Sequence, residues 1–219
     1  MTRKSLTAKQ RGRRPAPRWQ RRKESRPDEI VAAALACFTE KGFNATLLDD
    51  VAAQAGIAKG TLYRYFESKE DLFRAVVHTN LGTALTAAEH EIAVSHSSAA
   101  ELIAGLIQRM AERIASPAGV LPHLVFAEAA RFPDLARFYV DTVIARGLGL
   151  MERVIKHGIA TGEFRPVDTR SAAFCIIAPL ALETLFRHGL EPHAKRGLGV
   201  KDLKETLVNV NIEGLLRRK

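Results

Sequence analysis

The chain has 219 residues, of which 47% are hydrophobic, so it is long enough for one small and one medium domain with buried cores. This composition excludes a chain that is disordered throughout. The net charge of +9 is concentrated in residues 1–26, which hold eleven Lys and Arg and one acidic residue. No apolar run reaches the roughly 18 residues that span a membrane, and none follows the basic N terminus, so we expect a cytoplasmic protein with no membrane partner.

Residues 1–24 form a basic tail that is predicted to be a disordered arm, because it combines dense like charge with little apolar content. The arm has two interpretations. It is either a solubilising extension, or a cationic segment that follows the backbone of bound DNA and enters the minor groove next to the main binding site. If it binds DNA, deleting it should weaken binding. The slope of log affinity against log salt should then fall by about 0.9 for each lost phosphate contact.

A first helix is predicted from about Pro27 to Lys41, with proline in its first turn and Gly42 as its C-terminal stop. One face of this helix is apolar and should be buried. Its members are Ile30, Ala34, Cys37 and Phe38.

The next stretch has the pattern of two short helices joined by a turn. Thr46 is the predicted N-cap of the first helix, whose apolar positions share one face, and Gly56 ends it. The second helix is predicted from Lys59 to Phe66, with Leu62 and Phe66 on its buried side. Ser68, followed three residues later by an acid, predicts the start of another helix.

The outer face of the second helix carries cations, phenols and a hydroxyl, namely Lys59, Thr61, Tyr63, Arg64 and Tyr65. A helix fits the major groove of DNA, where arginine, lysine and threonine can bind base edges and tyrosine hydroxyls can bind phosphates. The other interpretation is a solvated face on a small helical core. The combination of turn, packing positions and polar face favours a DNA-reading helix.

Residues Ala36–Leu72 resemble the DNA-binding domain of the TetR family of bacterial transcriptional regulators. The residues that fit the family pattern include Phe38, Gly42, Phe43, Thr46, Val51, Ala52, Ala55, Gly56, Gly60, Thr61, Leu62, Tyr63, Phe66, Lys69 and Leu72. The resemblance implies a homodimer that binds a palindromic operator in double-stranded DNA and is released by a small ligand.

The resemblance also assigns DNA contacts. It places Lys59, Gly60, Thr61 and Arg64 at or near bases, and Tyr63, Tyr65 and Lys69 on phosphates; Thr46 and Leu47 complete the predicted set. Two departures stand out. Ala58 replaces a frequent serine and so removes a cap worth about 1 kcal/mol. Leu47 and Asp49 stand where the family often has threonine and a basic residue.

The remainder of the chain is helical in pattern, which predicts an all-α protein. We divide the whole chain after residue 24 into two domains. The first is a DNA-binding domain at residues 25–75, whose helix-turn-helix pair, the reader pair, lies at about 47–66. The second is a helical effector-binding and dimerisation domain at residues 76–219. The later helices are predicted at about Lys69–Val94, Ala99–Ala115, Leu121–Arg131, Pro133–Thr161, Thr169–His188 and Val200–Arg217. The last two carry more apolar surface than one partner would cover. By resemblance they form the dimer interface, whereas by composition alone a bundle within one chain is equally possible.

The ligand is the least determined feature. Apolar or amphipathic residues in the middle helices are candidates for a pocket, although each also fits a core position: Met110, His123, Phe126, Phe132, Tyr139, Met151 and Phe164. Few charges lie on these faces, which favours a small hydrophobic or aromatic effector.

Other chemistry finds little support in the sequence. No phosphate-binding loop, nucleophile elbow or dinucleotide fingerprint is present, so we predict no enzyme activity and no cofactor. His188, Glu191 and His193 form a weak metal candidate, for which a solvated loop is the simpler interpretation. Cys37 and Cys175 are predicted to be buried and reduced.

These patterns favour a sequence-specific transcriptional regulator, and within that class a ligand-released homodimeric repressor. The alternative is a basic helical protein that binds nucleic acid without sequence preference and has no effector. Competition by random DNA distinguishes the two, because only a specific complex survives it.

Overall fold

The structure, a computed structural model, describes residues 26–194 and 202–217. Helices account for most of these residues and none of them forms a strand, which confirms the all-α prediction. The predicted arm at residues 1–24 lies outside the described part. The helices are α1 (Arg26–Ala45), α2 (Leu48–Gln54), α3 (Lys59–Leu62), α4 (Lys69–Val77), α5 (Thr83–Val94), α6 (Ala99–Ala115), α7 (Leu121–Glu128), α8 (Pro133–Tyr139), α9 (Ala145–Ala160), α10 (Thr169–Leu185) and α11 (Leu203–Leu215).

Turn chemistry sets the first three helices. Gly42 adopts a φ of 77° and so interrupts the regular helix at the predicted stop. At the end of α2, Gly56 adopts a φ of 64°. The Gly56 N–H donates to the Ala53 carbonyl at 3.1 Å and the Ile57 N–H to the Ala52 carbonyl at 3.0 Å. This paired arrangement is a Schellman motif, which explains why the chain turns sharply before α3.

The predicted long helix from Lys69 to Val94 is present, but a π-helical turn at His78–Gly82 separates α4 from α5. It begins as predicted, because the Ser68 hydroxyl accepts a hydrogen bond from the Asp71 N–H at 3.0 Å. A second π-helical turn, Val140–Ile144, separates α8 from α9. Such turns are rare within α-helices and often occur at functional sites.

Two hydrophobic cores organise the molecule. The first core contains the buried residues of α1–α4 together with residues from α7 and α8, so it includes both Phe43 and Tyr139. The second core lies between α6, α9, α10 and α11 and includes Ile103 and Ile155. Ile144 packs against both cores. The DNA-binding helices therefore share their core with part of the C-terminal region.

Helix α10 is more exposed than a core helix. Residues Thr169–His193 form a helix that is long and apolar enough to cross a membrane by length and composition, with a mean hydropathy of 1.3. This helix passes by its mean hydropathy and not by an unbroken apolar run, because polar residues are scattered through it. Only 22% of its most apolar window is buried. Phe174, Leu182 and Leu190 of this helical segment are exposed, as is Val210 on α11.

Candidate nucleic-acid interface and ligand cavity

The reader helix consists of α3 and the turn that continues it to Phe66. Its exposed and buried sides follow the predicted pattern. Leu62 is fully buried and Phe66 is nearly so, whereas Lys59, Tyr63 and Arg64 are exposed. The regular helix is shorter than predicted and ends at Leu62. Beyond it, the Arg64 N–H donates to the Thr61 carbonyl and the Tyr65 N–H to the Leu62 carbonyl, so the last turn tightens. Thr61 and Tyr65 are half-buried, and Gly60 is exposed.

An acidic residue of α2, Asp49, forms an ion pair with Lys59 of the reader helix. The Lys59 ammonium lies 2.9 Å from the Asp49 carboxylate on α2, and both side chains are exposed. The hydrogen bond to Asp49 raises the pKa of Lys59. The same ammonium lies 5.9 Å from the centroid of the Tyr63 ring. In this arrangement Asp49 neutralises a charge that the sequence analysis assigned to DNA.

Thr46 is not the N-cap of α2 and does not face outward. The N-cap position belongs to Leu47, whose N–H donates to the Asp50 carboxylate at 3.0 Å. Thr46 is fully buried, and its hydroxyl donates to the Gly42 carbonyl at 2.7 Å. The Thr46 side chain therefore points into the fold, where it closes the end of α1, and does not lie on the exposed face predicted for it. Leu47 is 63% exposed.

Lys69 makes different contacts from those assigned by the resemblance. Its ammonium donates to the carbonyls of Asn44 at 2.9 Å and Thr46 at 3.0 Å, and lies 4.8 Å from the centroid of the Phe43 ring. Burial lowers the pKa of Lys69. The side chain thus fastens the start of α4 to the end of α1 and to the residue that follows α1.

Aromatic contacts join the DNA-binding helices to the rest of the chain. The Phe43 and Phe73 ring centroids are 5.0 Å apart, and the Phe43 and Phe132 centroids are 5.2 Å apart, both edge-on. Such pairs contribute roughly 0.5–1.5 kcal/mol beyond their buried area. Phe132 precedes α8, so these rings connect the reader domain directly to the helix that ends at Tyr139.

A large cavity lies in the C-terminal region. Its volume is about 1150 Å³, and its walls come from the π-turn region before α5 and from α5–α10. Among the predicted pocket residues, Met110, Phe126, Tyr139 and Met151 line it. His123 does not line the cavity. Its ring packs against Gly189, where an added methyl group would lie 2.8 Å from the ring. Phe164 is buried in the second core and Phe132 packs on Phe43.

The cavity walls are apolar with a few polar groups. The sequence analysis missed Arg109 and Arg113, which line the cavity one turn apart on α6. The sequence did contain a signal for them, because both arginines fall at helical spacing on the same face as the apolar residues Leu106 and Met110. Cys175 also lines the cavity and is exposed, so the prediction that it is buried was wrong. Within residues 26–194 and 202–217, no group of three or more His, Cys, Asp and Glu side chains could hold a metal ion.

Comparisons with known proteins agree with this geometry. The family described as bacterial regulatory proteins, tetR family, matches residues 30–76. The tetracyclin repressor-like C-terminal domain matches residues 95–196. The transcriptional repressor KstR2 of Mycolicibacterium smegmatis is 32% identical over 143 residues, covering 65% of this chain and 69% of that protein. The fatty acid metabolism regulator protein of Bacillus subtilis is 27% identical, covering 68% of this chain and 78% of that protein.

Solved structures show the same fold. The ketosteroid transcriptional regulator KstR2 of Mycobacterium tuberculosis has a TM-score of 0.64 at 26% identity, over 89% of this chain and 96% of that chain. The regulator FadR of Bacillus subtilis, solved in complex with stearoyl-CoA, has a TM-score of 0.65 at 21% identity, over 85% of this chain and 98% of that chain. With its outward-facing reader helix and matching domains, the chain belongs to the TetR family and is a DNA-binding transcriptional regulator.

Proposed function

We propose that the chain is a homodimeric repressor, acting in the cytoplasm, that a hydrophobic ligand releases from a palindromic operator. The observation that carries this proposal is the shared first core. Leu81 and Tyr139 belong to the core that also holds Phe43 and Leu62, and both residues line the cavity. A ligand that displaces them acts on the side chains that fix the reader. A strong response requires the ligand to favour the released state by about 5 kcal/mol.

The operator contacts come from the exposed face of the reader. Lys59, Gly60, Thr61 and Arg64 approach bases, while Tyr63 and Tyr65 bind phosphates. Leu47 is exposed beside them and is suited to an apolar contact such as a thymine methyl. Lys69 acts indirectly, because its hydrogen bonds to the Asn44 and Thr46 carbonyls hold the start of α4 against the end of α1.

A second copy of the chain covers the apolar faces of α10 and α11. Phe174 is 61% exposed and Val210 is 63% exposed, which a single chain leaves in water. Self-association through these helices produces a two-fold axis and places two readers in successive major grooves. The palindromic operator follows from this symmetry.

Release proceeds through the π-helical turns His78–Gly82 and Val140–Ile144. A methyl group on Gly82 would lie 3.8 Å from the Thr142 side chain, so the two turns pack against each other beside the cavity. Next to them, the Arg146 guanidinium donates to the Glu89 carboxylate at 2.7 Å and to the Thr86 hydroxyl at 2.9 Å, joining α5 to α9. A ligand that separates these helices tilts the long helix beginning at Lys69 and misaligns the readers.

The ligand is an apolar molecule of substantial size. The cavity volume exceeds the roughly 300–1,000 Å³ range of ordinary ligand pockets, and its lining is dominated by aliphatic and aromatic side chains. Similar proteins are named for fatty acid metabolism and ketosteroid regulation, and one was solved with stearoyl-CoA. We extend that chemistry to this chain as long acyl chains or fused-ring skeletons.

The decisive experiment maps the DNA that the purified chain protects, starting with the DNA next to its own gene. A symmetric protected site that survives excess random DNA supports the regulator. Loss of all protection in random DNA supports the alternative, a nonspecific nucleic-acid-binding protein. Sedimentation of the free chain and of the complex then determines whether two copies bind one operator.

A further inference from the structure

The Tyr139 side chain places a hydroxyl group on the wall of the cavity. The Tyr139 side chain is buried, with 5% of its surface exposed, and lines the cavity. Among the described residues, its hydroxyl makes no hydrogen bond. Because this hydroxyl is not one of the shielded, unpartnered side-chain atoms of the described residues, it is open to the cavity, and the oxygen of a ligand can reach it there.

The chemistry of this group defines what it can bind. Burial raises the pKa of the Tyr139 phenol well above its ordinary value, so the group stays protonated and offers a hydrogen-bond donor at physiological pH. The nearby walls contributed by Leu81, Val143 and Ile144 are apolar. The donor therefore requires an acceptor oxygen attached to an apolar body.

The other polar groups of the cavity favour a ligand that is not a plain hydrocarbon. Arg109 pairs with Glu91 at 3.2 Å, but its Nε is shielded from solvent without a partner. The Arg113 carbonyl accepts hydrogen bonds from Ser116, whereas the Arg113 guanidinium has no hydrogen bond or ion pair within the described part of the chain. Both line the cavity together with Glu112 of the same helix, so this wall carries charged groups that a plain hydrocarbon would leave without a partner.

We propose that the cavity binds an apolar molecule carrying a carbonyl or carboxylate oxygen, and that the Tyr139 hydroxyl donates a hydrogen bond to that oxygen. This inference rests on the proposed function only in treating the cavity as the effector site. Tyr139 belongs to the first core and directly precedes the π-helical turn Val140–Ile144. A ligand held there contacts the side chain that connects the cavity to the reader.

The test measures binding to the full chain by displacement of the neutral fluorescent dye N-phenylnaphthylamine. The probes are palmitate, its methyl ester, its coenzyme A thioester and hexadecane, together with androstenedione and its parent hydrocarbon androstane. We expect an oxygen-bearing probe to bind more tightly than its hydrocarbon. The substitution Tyr139→Phe should remove about tenfold of that affinity and leave hydrocarbon binding unchanged. Comparison of the acid, ester and thioester identifies which oxygen is recognised.

Two controls separate recognition from stability. Tyr139→Phe deletes a hydroxyl that forms no hydrogen bond with the described residues, so the thermal midpoint of the free chain should stay the same or rise. Met151→Leu changes another lining residue without a polar group, and should alter the affinity for oxygen-bearing and hydrocarbon probes by similar factors.

The inference is overturned if no oxygen-bearing probe binds better than its hydrocarbon, or if Tyr139→Phe weakens both alike. A separate assay with operator DNA isolates the proposed function. If probes bind in a Tyr139-dependent manner but leave the DNA complex intact, ligand release fails while the assignment of Tyr139 stands. If probes release the DNA equally from both variants, ligand release stands and the role of Tyr139 is wrong.

Discussion

The reader and the cavity are built in different ways. The reader depends on residues close in sequence: a glycine-ended helix, a short turn, one buried leucine and a serine-capped helix, all between residues 47 and 71. The cavity draws its walls from helices between residues 81 and 185. This difference indicates that DNA geometry is set by local backbone structure. Ligand choice, by contrast, depends on side chains that only the folded chain brings together.

The first core links the two regions, and breaking it should have the largest effect. Phe43→Ala removes a ring that is 1% exposed and contacts Phe38, Phe73 and Phe132. We expect a loss of about 3–5 kcal/mol in the free energy of unfolding. Operator affinity should also fall under conditions where the variant remains folded. Denaturant titration and a DNA-binding isotherm measure the two effects.

The matched control is Ile155→Ala in the second core, where the side chain is fully buried. It should cost about 2–5 kcal/mol of stability yet leave the operator affinity of the folded chain nearly unchanged. Equal losses of operator affinity in both variants would show that the first core has no special connection to the reader.

Within the reader, base and phosphate contacts should separate. Arg64 is exposed in the turn that follows α3, and Arg64→Ala should cost about 1–3 kcal/mol of binding free energy and relax base preference at one position of each half-site. Tyr63→Phe should weaken binding to all sequences alike, because a phosphate contact carries no base information. Affinities for a panel of single-base operator variants test this. Unchanged affinity in both variants would refute the assigned contacts.

Helix α3 lacks a side-chain N-cap, so adding one should increase the stability of the chain. Ala58 has the extended backbone of an N-cap, with φ −70° and ψ 144°, but no side-chain hydrogen bond. Ala58→Ser should stabilise the chain by up to about 1 kcal/mol, since its hydroxyl can accept a free helix N–H. Ala53→Ser, on the exposed side of α2, provides the control and should give no gain. Thermal unfolding compares the two, and an equal shift would exclude capping.

The smallest expected effect concerns the pair between Asp49 and Lys59. Asp49→Asn should tighten DNA binding by less than about 1 kcal/mol, because the pair is exposed and screened. If the freed Lys59 ammonium gains a phosphate, the salt slope should steepen by about 0.9. Asp134→Asn makes the same change of charge beside Arg137, away from the reader. A similar response to both substitutions would attribute the gain to net charge alone.

The sequence predicted the reader better than the pocket, and particular residues explain why. Leu62, Phe66, Gly56 and Ser68 act through neighbours within a few positions, so their patterns were readable. Thr46 and Lys69 fit the family pattern equally well, yet one is buried and the other binds main-chain carbonyls. A resemblance fixes residue types, whereas exposure depends on how α1 and α4 pack.

The sequence by itself determined the helices, their stops, the helix-turn-helix and the family, because hydrophobic period, caps and glycine turns act over a few residues. Tertiary packing decided which of these residues face water, a cavity or a core. It placed His123 outside the cavity and placed Arg109, Arg113 and Tyr139 on the cavity walls. Those outcomes depend on distances between helices far apart in the chain, which no local pattern encodes.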